Sequence, residues 1–205
     1  MWSLLRMTKS KIIGLALGGM MLAACQSNSY KVYGTAKALA DGDTVYFTTN
    51  LLGYVDPPPT DTAVVEGGKF TFEGTADSLR AAMIYSKSGK LENAMLITEP
   101  GTIMVRMGAD SQSTRVWGTF CNNKWQELAD STLSIGMEFD RIARYVTDNH
   151  LTYGEIKEKR SELAKLHSRF VDIIIGTREA NADNDFGRFM SSYYRDVIAA
   201  GDSIN

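Results

Sequence analysis

The sequence predicts an antiparallel β domain, sandwich or barrel, followed by an α-helical segment of about three helices. Three observations lead there. The composition is close to the globular average, with 44% hydrophobic, 22% charged and 10% aromatic residues in a chain of 205, which is enough for one comfortable domain or two small ones. Between Tyr30 and Trp117, short runs rich in Thr, Val, Tyr and Phe recur at intervals of about 8–12 residues between turn signals. From Asn122 onward the apolar period changes from about 2 to about 3.6. A formal net charge of -2 leaves no basic excess to neutralise phosphates, so no nucleic-acid partner is expected.

Residues 1–24 stand apart from the fold. Arg6, Lys9 and Lys11 form a basic head without an acid, and an apolar run extends from Ile12 to Ala24. That run is short of the ~20 residues a membrane-spanning helix needs, and it reads as a signal peptide. The tetrapeptide Leu22-Ala23-Ala24-Cys25 resembles the lipobox of bacterial lipoproteins. The resemblance implies cleavage before Cys25, which would carry a diacylglycerol and an N-acyl chain. At ~0.8 kcal/mol per buried methylene, two or more chains would hold the protein on a membrane. The expected organisation is a signal peptide over 1–24, a lipidated tether over 25–29, a β domain over 30–118 and a helical segment over 119–205. Gln26 follows the cysteine, and Gln26–Tyr30 holds no acid. By resemblance to sorting signals, the expected location is the periplasmic face of the outer membrane. The expected partners are the membrane, through the anchor, and an envelope protein. From Cys25 on, 19 Lys and Arg face 24 Asp and Glu, a net charge of -5. Cys121 is then the one free thiol and is expected to be a small buried hydrophobe.

The β elements follow in order. Tyr30–Ala38 is the first run, Asp41-Gly42 a turn, and Asp43–Thr49 the second. Asp56-Pro57-Pro58-Pro59-Thr60 lacks ladder donors and is expected as an exposed extended loop or sheet edge. Thr62–Glu66 and Lys69–Gly74 flank Gly67-Gly68, which predicts a hairpin. Leu79–Ser86, Ala94–Glu99 and Thr102–Met107 complete the series, with turns at Ser88-Gly89 and Pro100-Gly101. In the helical half, Asn122 or Asn123 is a candidate N-cap. The first helix presents Trp125, Leu128, Ala129, Ile135, Phe139, Ile142 and Val146 as its apolar positions. Thr152-x-x-Glu155 is a capping-box pattern opening a second helix, whose seam is Ile156, Leu163, Leu166, Phe170 and Ile173. A third helix carries Phe186, Phe189, Met190, Tyr193 and Val197.

Four motifs carry a family resemblance. They are Tyr33-Gly34 with Asp41–Tyr46; Val64–Gly74 around the glycine pair; Glu99-Pro100-Gly101 before Val116–Thr119 and Asn122; and Asn181-x-Asp183-Asn184-x-x-Gly187. In that order they resemble domain of unknown function 4369 and the helical stretch after it. That module commonly precedes a thioredoxin-like domain in lipid-anchored thiol:disulfide oxidoreductases of Gram-negative bacteria. The redox domain would begin after the third helix, where the sequence reaches Asn205, and no Cys-x-x-Cys occurs. The resemblance therefore implies fold and not activity.

The remaining chemistry is sparse. His150 and His167 lie 17 positions apart without a second ligand at helical spacing. Asp41-Gly42-Asp43 lacks the later acid of an EF-hand. Tyr30, Tyr33, Tyr46, Phe47 and Tyr54 could line a ligand face, but in a β domain they read first as core and cross-strand pairs. No catalytic, cofactor-binding or metal residue is expected, and Cys25 is the single modified position. Two functions stay open. One is a non-catalytic anchored binding module, and the other is a shortened or accessory member of a periplasmic thiol:disulfide oxidoreductase system.

Overall fold

Alternating burial shapes most of the strands that the sequence predicts; Ala94–Thr98 departs from it under the helices, Asp61–Val64 is an exposed edge strand, and Arg115–Trp117 is a strand the sequence did not mark. A computed structural model describes residues 28–51 and 57–202. Residues 1–24, expected as a signal peptide, and Cys25, Tyr54 and Asp56 lie outside the described residues. Eight strands are present: β1 (Ser29–Thr35), β2 (Thr44–Thr48), β3 (Asp61–Val64), β4 (Lys69–Thr75), β5 (Arg80–Tyr85), β6 (Ala94–Thr98), β7 (Gly101–Arg106) and β8 (Arg115–Trp117). The helices are α1 (Phe120–Asp148), α2 (Tyr153–Ala180), α3 (Asp185–Tyr193) and α4 (Arg195–Asp202).

The strands form two four-stranded sheets, ordered β4-β1-β7-β8 and β3-β2-β5-β6. This is a sandwich and not a closed barrel. One pair departs from the antiparallel expectation: β1 runs parallel to β7, with Val32 opposite Ile103. A parallel pair needs a long crossover, and here the whole second sheet supplies it. Between the sheets lie Val32, Phe70, Phe72, Ile103, Val105 and Val116 from one side and Val45, Phe47, Ala82, Ile84, Ala94 and Leu96 from the other, all nearly inaccessible.

The glycine pair makes the expected tight turn but not the expected hairpin. Gly67 and Gly68 have φ of 56° and 69°, a left-handed geometry that glycine adopts without Cβ strain. Glu66 and Lys69 exchange both backbone hydrogen bonds at 3.0 Å. Beyond that bridge the strands part, because β3 joins the second sheet and β4 the first. The turn therefore closes one side of the sandwich. The proline segment is also held closer than expected. Pro57 is buried, Tyr85 Oη donates to its carbonyl at 2.8 Å, and Thr48 Oγ1 donates to the Pro58 carbonyl at 3.0 Å.

The helices cover the outer face of the second sheet. Leu79, Ala81 and Ile97 meet Cys121, Trp125, Leu128, Ile174, Phe186, Phe189 and Met190 there. β6 is consequently buried on both faces, so it reads as a continuous apolar run rather than an alternating one. The capping box of α2 forms as predicted, with Thr152 and Glu155 bonded reciprocally. The seam shifts toward the C-terminal half: Leu166 and Ile174 are buried, while Ile156 and, on α1, Phe139 and Val146 are exposed. Beyond the sandwich the two long helices bury only the narrow seam where they face each other, Ile135 and Ile142 of α1 against Leu163, Leu166 and Phe170 of α2, so apolar residues off that seam stay exposed. The third predicted helix divides into α3 and α4 at Tyr194. Asn184 caps α3 by accepting from Gly187 N at 3.2 Å. A side chain at Gly187 would overlap the Asn181 carbonyl, which is why glycine ends that motif.

Candidate functional site at the strand–helix junction

The junction between the two halves concentrates the buried polar chemistry of the described residues. β6 and β8 are the edges of their sheets, and an edge strand leaves N–H and C=O groups unpaired. The first two turns of α1 satisfy them with amide side chains. Asn122 Oδ1 accepts from Ile97 N at 2.9 Å, and its Nδ2 donates to Ile97 O at 2.8 Å. It thus pairs with Ile97 as a neighbouring strand would. Gln126 Oε1 accepts from Val116 N at 2.7 Å, and Asn123 Oδ1 accepts from Gly118 N at 3.0 Å. One helix start therefore closes the open side of both sheets. Neither Asn122 nor Asn123 is the N-cap, as the sequence suggested; Thr119 holds that position and makes no side-chain cap bond.

The cap comes from elsewhere in the chain. Glu99, 8% exposed, reaches from the β6–β7 turn, and its Oε1 accepts from Asn122 N at 3.0 Å and from Asn122 Nδ2 at 3.2 Å. A carboxylate there satisfies an orphan N–H and faces the positive end of the helix dipole. Thr119 Oγ1 accepts the remaining Asn122 contact at 2.8 Å. The sequence offered Glu99 only as a motif position, and Asn122 as a motif position and a candidate N-cap. Their pairing across 23 positions has no local signature.

Cys121 lies in the same turn, free and 1% exposed. Its place near a helix N-terminus would favour a thiolate. Burial opposes that and wins, and the neighbouring Glu99 carboxylate adds to it, so the thiol is pushed up to about 12 from an ordinary 9.0. At neutral pH it is a protonated, inaccessible group. His150 and His167 are both exposed and far from this junction in sequence, and no group of three His, Cys, Asp or Glu able to hold a metal occurs among the described residues.

Beside the junction an open groove of about 850 Å³ runs between the second sheet and α3. Leu51, Leu79, Ala81, Phe189 and Tyr193 give it an apolar and aromatic lining, and Arg80 and Arg188 stand at it. The Tyr193 ring stacks on Phe189 at 5.3 Å and meets Trp125 edge-on at 5.7 Å. Burial raises both tyrosine phenols, that of Tyr194 to about 12, so they remain neutral hydrogen-bonding groups. Such a lining can take an apolar or aromatic group and orient it with polar contacts. Of the aromatic residues singled out in the sequence, Tyr30 and Phe47 stack inside the core at 6.1 Å, Tyr46 stacks on Tyr85 at 5.2 Å, and Tyr33 is exposed.

No helix among the described residues is long and apolar enough to cross a membrane. Searches of curated proteins and of solved structures found no match. Residues 30–125, which cover the sandwich except Ser29 and the start of α1 through Trp125, match the family described as Domain of unknown function (DUF4369).

Proposed function

We propose that this chain is a lipid-anchored, non-catalytic binding module of the bacterial cell envelope, held through Cys25 to the outer membrane and facing the periplasm. The observation that supports binding most directly is the open groove bearing Tyr193, Phe189, Leu79, Arg80 and Arg188. The junction chemistry is spent on architecture: Glu99 and Asn122 hold α1 on the sheets, and Cys121 is sealed behind them. A nucleophilic thiol needs access and a lowered pKa, and Cys121 has neither. That weighs against the alternative of a shortened or accessory member of a thiol:disulfide oxidoreductase system.

Three measurements test the proposal. Labelled fatty acid is expected in the wild type and absent from Cys25→Ala; an unlabelled wild type overturns the anchor. Disulfide reduction by the wild type is expected to equal that of Cys121→Ser; turnover that vanishes in the variant overturns the non-catalytic reading. A photo-crosslinking residue at Tyr193 in the intact envelope is expected to give a discrete adduct that the same probe at the 84%-exposed Tyr153 does not. Equal labelling from both positions removes the groove as the binding surface.

A further inference from the structure

Among the described residues, the first sheet has one face in the core and the other uncovered. Its register lays the uncovered side chains out in rows. Lys31 stands between Glu73 and Thr102. Next comes a row across all four strands, Thr71, Tyr33, Met104 and Trp117, and then a third row of Lys69, Thr35, Arg106 and Arg115. Tyr33 is 42% and Trp117 41% exposed, and Phe120, 51% exposed, follows just beyond β8. Lys31 Nζ lies 5.2 Å from the centre of the Tyr33 ring and 2.5 Å from Glu73. Arg115 also meets Asp130 of α1 at 3.4 Å. The strands thus present four basic residues and one acid on this face, in a chain whose net charge from Cys25 on is -5.

We infer that this face lies on the membrane surface, with Tyr33 and Trp117 at the headgroup level of a bilayer containing anionic phospholipid. The inference rests on the anchor proposed above. Tyr and Trp favour the interface between hydrocarbon and water, because each joins an apolar ring to a polar tip. Lys and Arg beside them are drawn to anionic headgroups, and their apolar stems lie along the same surface. The tether supplies proximity. β1 begins at Ser29, and the stretch from Cys25 to Ser29 spans at most about 14 Å when fully extended. Tyr33 is about 13 Å further along β1 at the usual strand rise. A sheet tethered so closely at its own first strand reaches the bilayer with its open face. The groove beside α3 lies on the other sheet, so docking leaves it free for a periplasmic partner.

The test uses the wild-type protein purified with its lipid and reconstituted into vesicles of phosphatidylethanolamine and phosphatidylglycerol that carry a headgroup-level spin label. The Trp117 signal is the difference between wild type and Trp117→Phe, so Trp125 cancels. Quenching of Trp117 is expected. Lys69→Glu with Arg106→Glu, two exposed positions that leave the core intact, is expected to lower the ratio of docked to undocked protein at least about 30-fold, and phosphatidylcholine vesicles are expected to lower it too. Quenching indifferent to both changes overturns the inference. So does a Trp117 that is unquenched by lipid but shielded by added glycan fragments or by a second copy of the chain. Fatty acid on the protein with unquenched Trp117 defeats this inference alone. Absence of fatty acid defeats the anchor and the inference together.

Discussion

Replacing Asn122 by Ala removes the one side chain that completes the edge of β6. Asn122 is fully buried, and its amide holds both the N–H and the C=O of Ile97 at 2.9 and 2.8 Å. The truncated side chain leaves both groups without a partner beneath α1. A buried backbone group stripped of its hydrogen bond costs about 1–3 kcal/mol, so the pair costs about 2–6 kcal/mol. Water reaching the junction past Glu99 would bring the loss toward the lower half of that range, about 3 kcal/mol. Against a total stability of about 5–15 kcal/mol this is a severe loss. For a chain of this length it lowers the melting temperature by about 6–12 °C. Guanidinium denaturation followed by circular dichroism measures it. Hydrogen exchange localises it, since the Ile97 amide should lose protection before the β-sandwich core does. Asn122→Asp separates the hydrogen-bond argument from simple packing. It keeps the shape but sets a carboxylate against Glu99 and the Ile97 carbonyl, so at neutral pH it should be worse than Ala. Its carboxyl pKa would be raised in the folded state, so the lost stability should return as pH falls through that raised value and be fully restored once pH reaches the ordinary aspartate value of about 4. An Asn122→Ala variant within about 1 kcal/mol of wild type, or an Asp variant no worse than Ala at neutral pH, refutes the reasoning.

Four further outcomes are expected. Cys121 ionises at an ordinary 9.0 when unfolded but only at about 12 when folded, so its contribution to stability is intact below pH 9.0 and is lost as pH rises toward 12; the denaturation midpoint should fall across that window more steeply in wild type than in Cys121→Ala. The same burial should keep the thiol inert to a disulfide reagent until denaturant is added. Gly187→Ala, whose new methyl would overlap the Asn181 carbonyl, should destabilise by about 1–3 kcal/mol, visible as a lowered melting temperature. Thr152→Ala should cost about 1 kcal/mol by removing the α2 cap. Because the Thr152 hydroxyl, and after it the Thr152 backbone N–H, lower the Glu155 carboxyl below its ordinary value, the wild-type advantage should shrink as pH drops below 4.5, and the variant, which keeps only the backbone bond, should lose less stability over the same range.

What could be read from the residues alone was whatever neighbours along the chain decide. Gly67-Gly68 specifies a tight turn because two consecutive positive φ angles are cheap only for glycine. Thr152 and Glu155 specify a helix start because their side chains reach backbone groups three positions away. The change of period after Trp117 separates strands from helices by the same local rule. The absence of a second free cysteine after Cys25 is likewise a matter of counting. The candidate site was only half legible. Glu99, Cys121 and Asn122 were visible as residues, but the chemistry they share depends on a turn and a helix start meeting in space.

Tertiary structure decided the rest, and in each case the reason is a contact between distant segments. β1 takes β7 as a parallel partner 71 positions away at Tyr30 and Gly101, a choice that no periodicity encodes, because either edge of β1 offers the same alternation. β3 and β4 leave their shared turn for different sheets: β4 carries Phe70 and Phe72 into the core, while β3, with only Ala63 partly buried, forms the edge of the second sheet. Exposure on α1 and α2 depends on which of their apolar residues meet the sandwich or the facing helix: Ile142 is buried against α2, while Phe139 and Val146 on the same helix are exposed. Cys121 is the sharpest case. Its neighbours in sequence place it at a helix N-terminus, which favours the thiolate, while the fold buries it beside the Glu99 carboxylate. Desolvation and the adjacent negative charge then outweigh the helix dipole, and the thiol stays protonated.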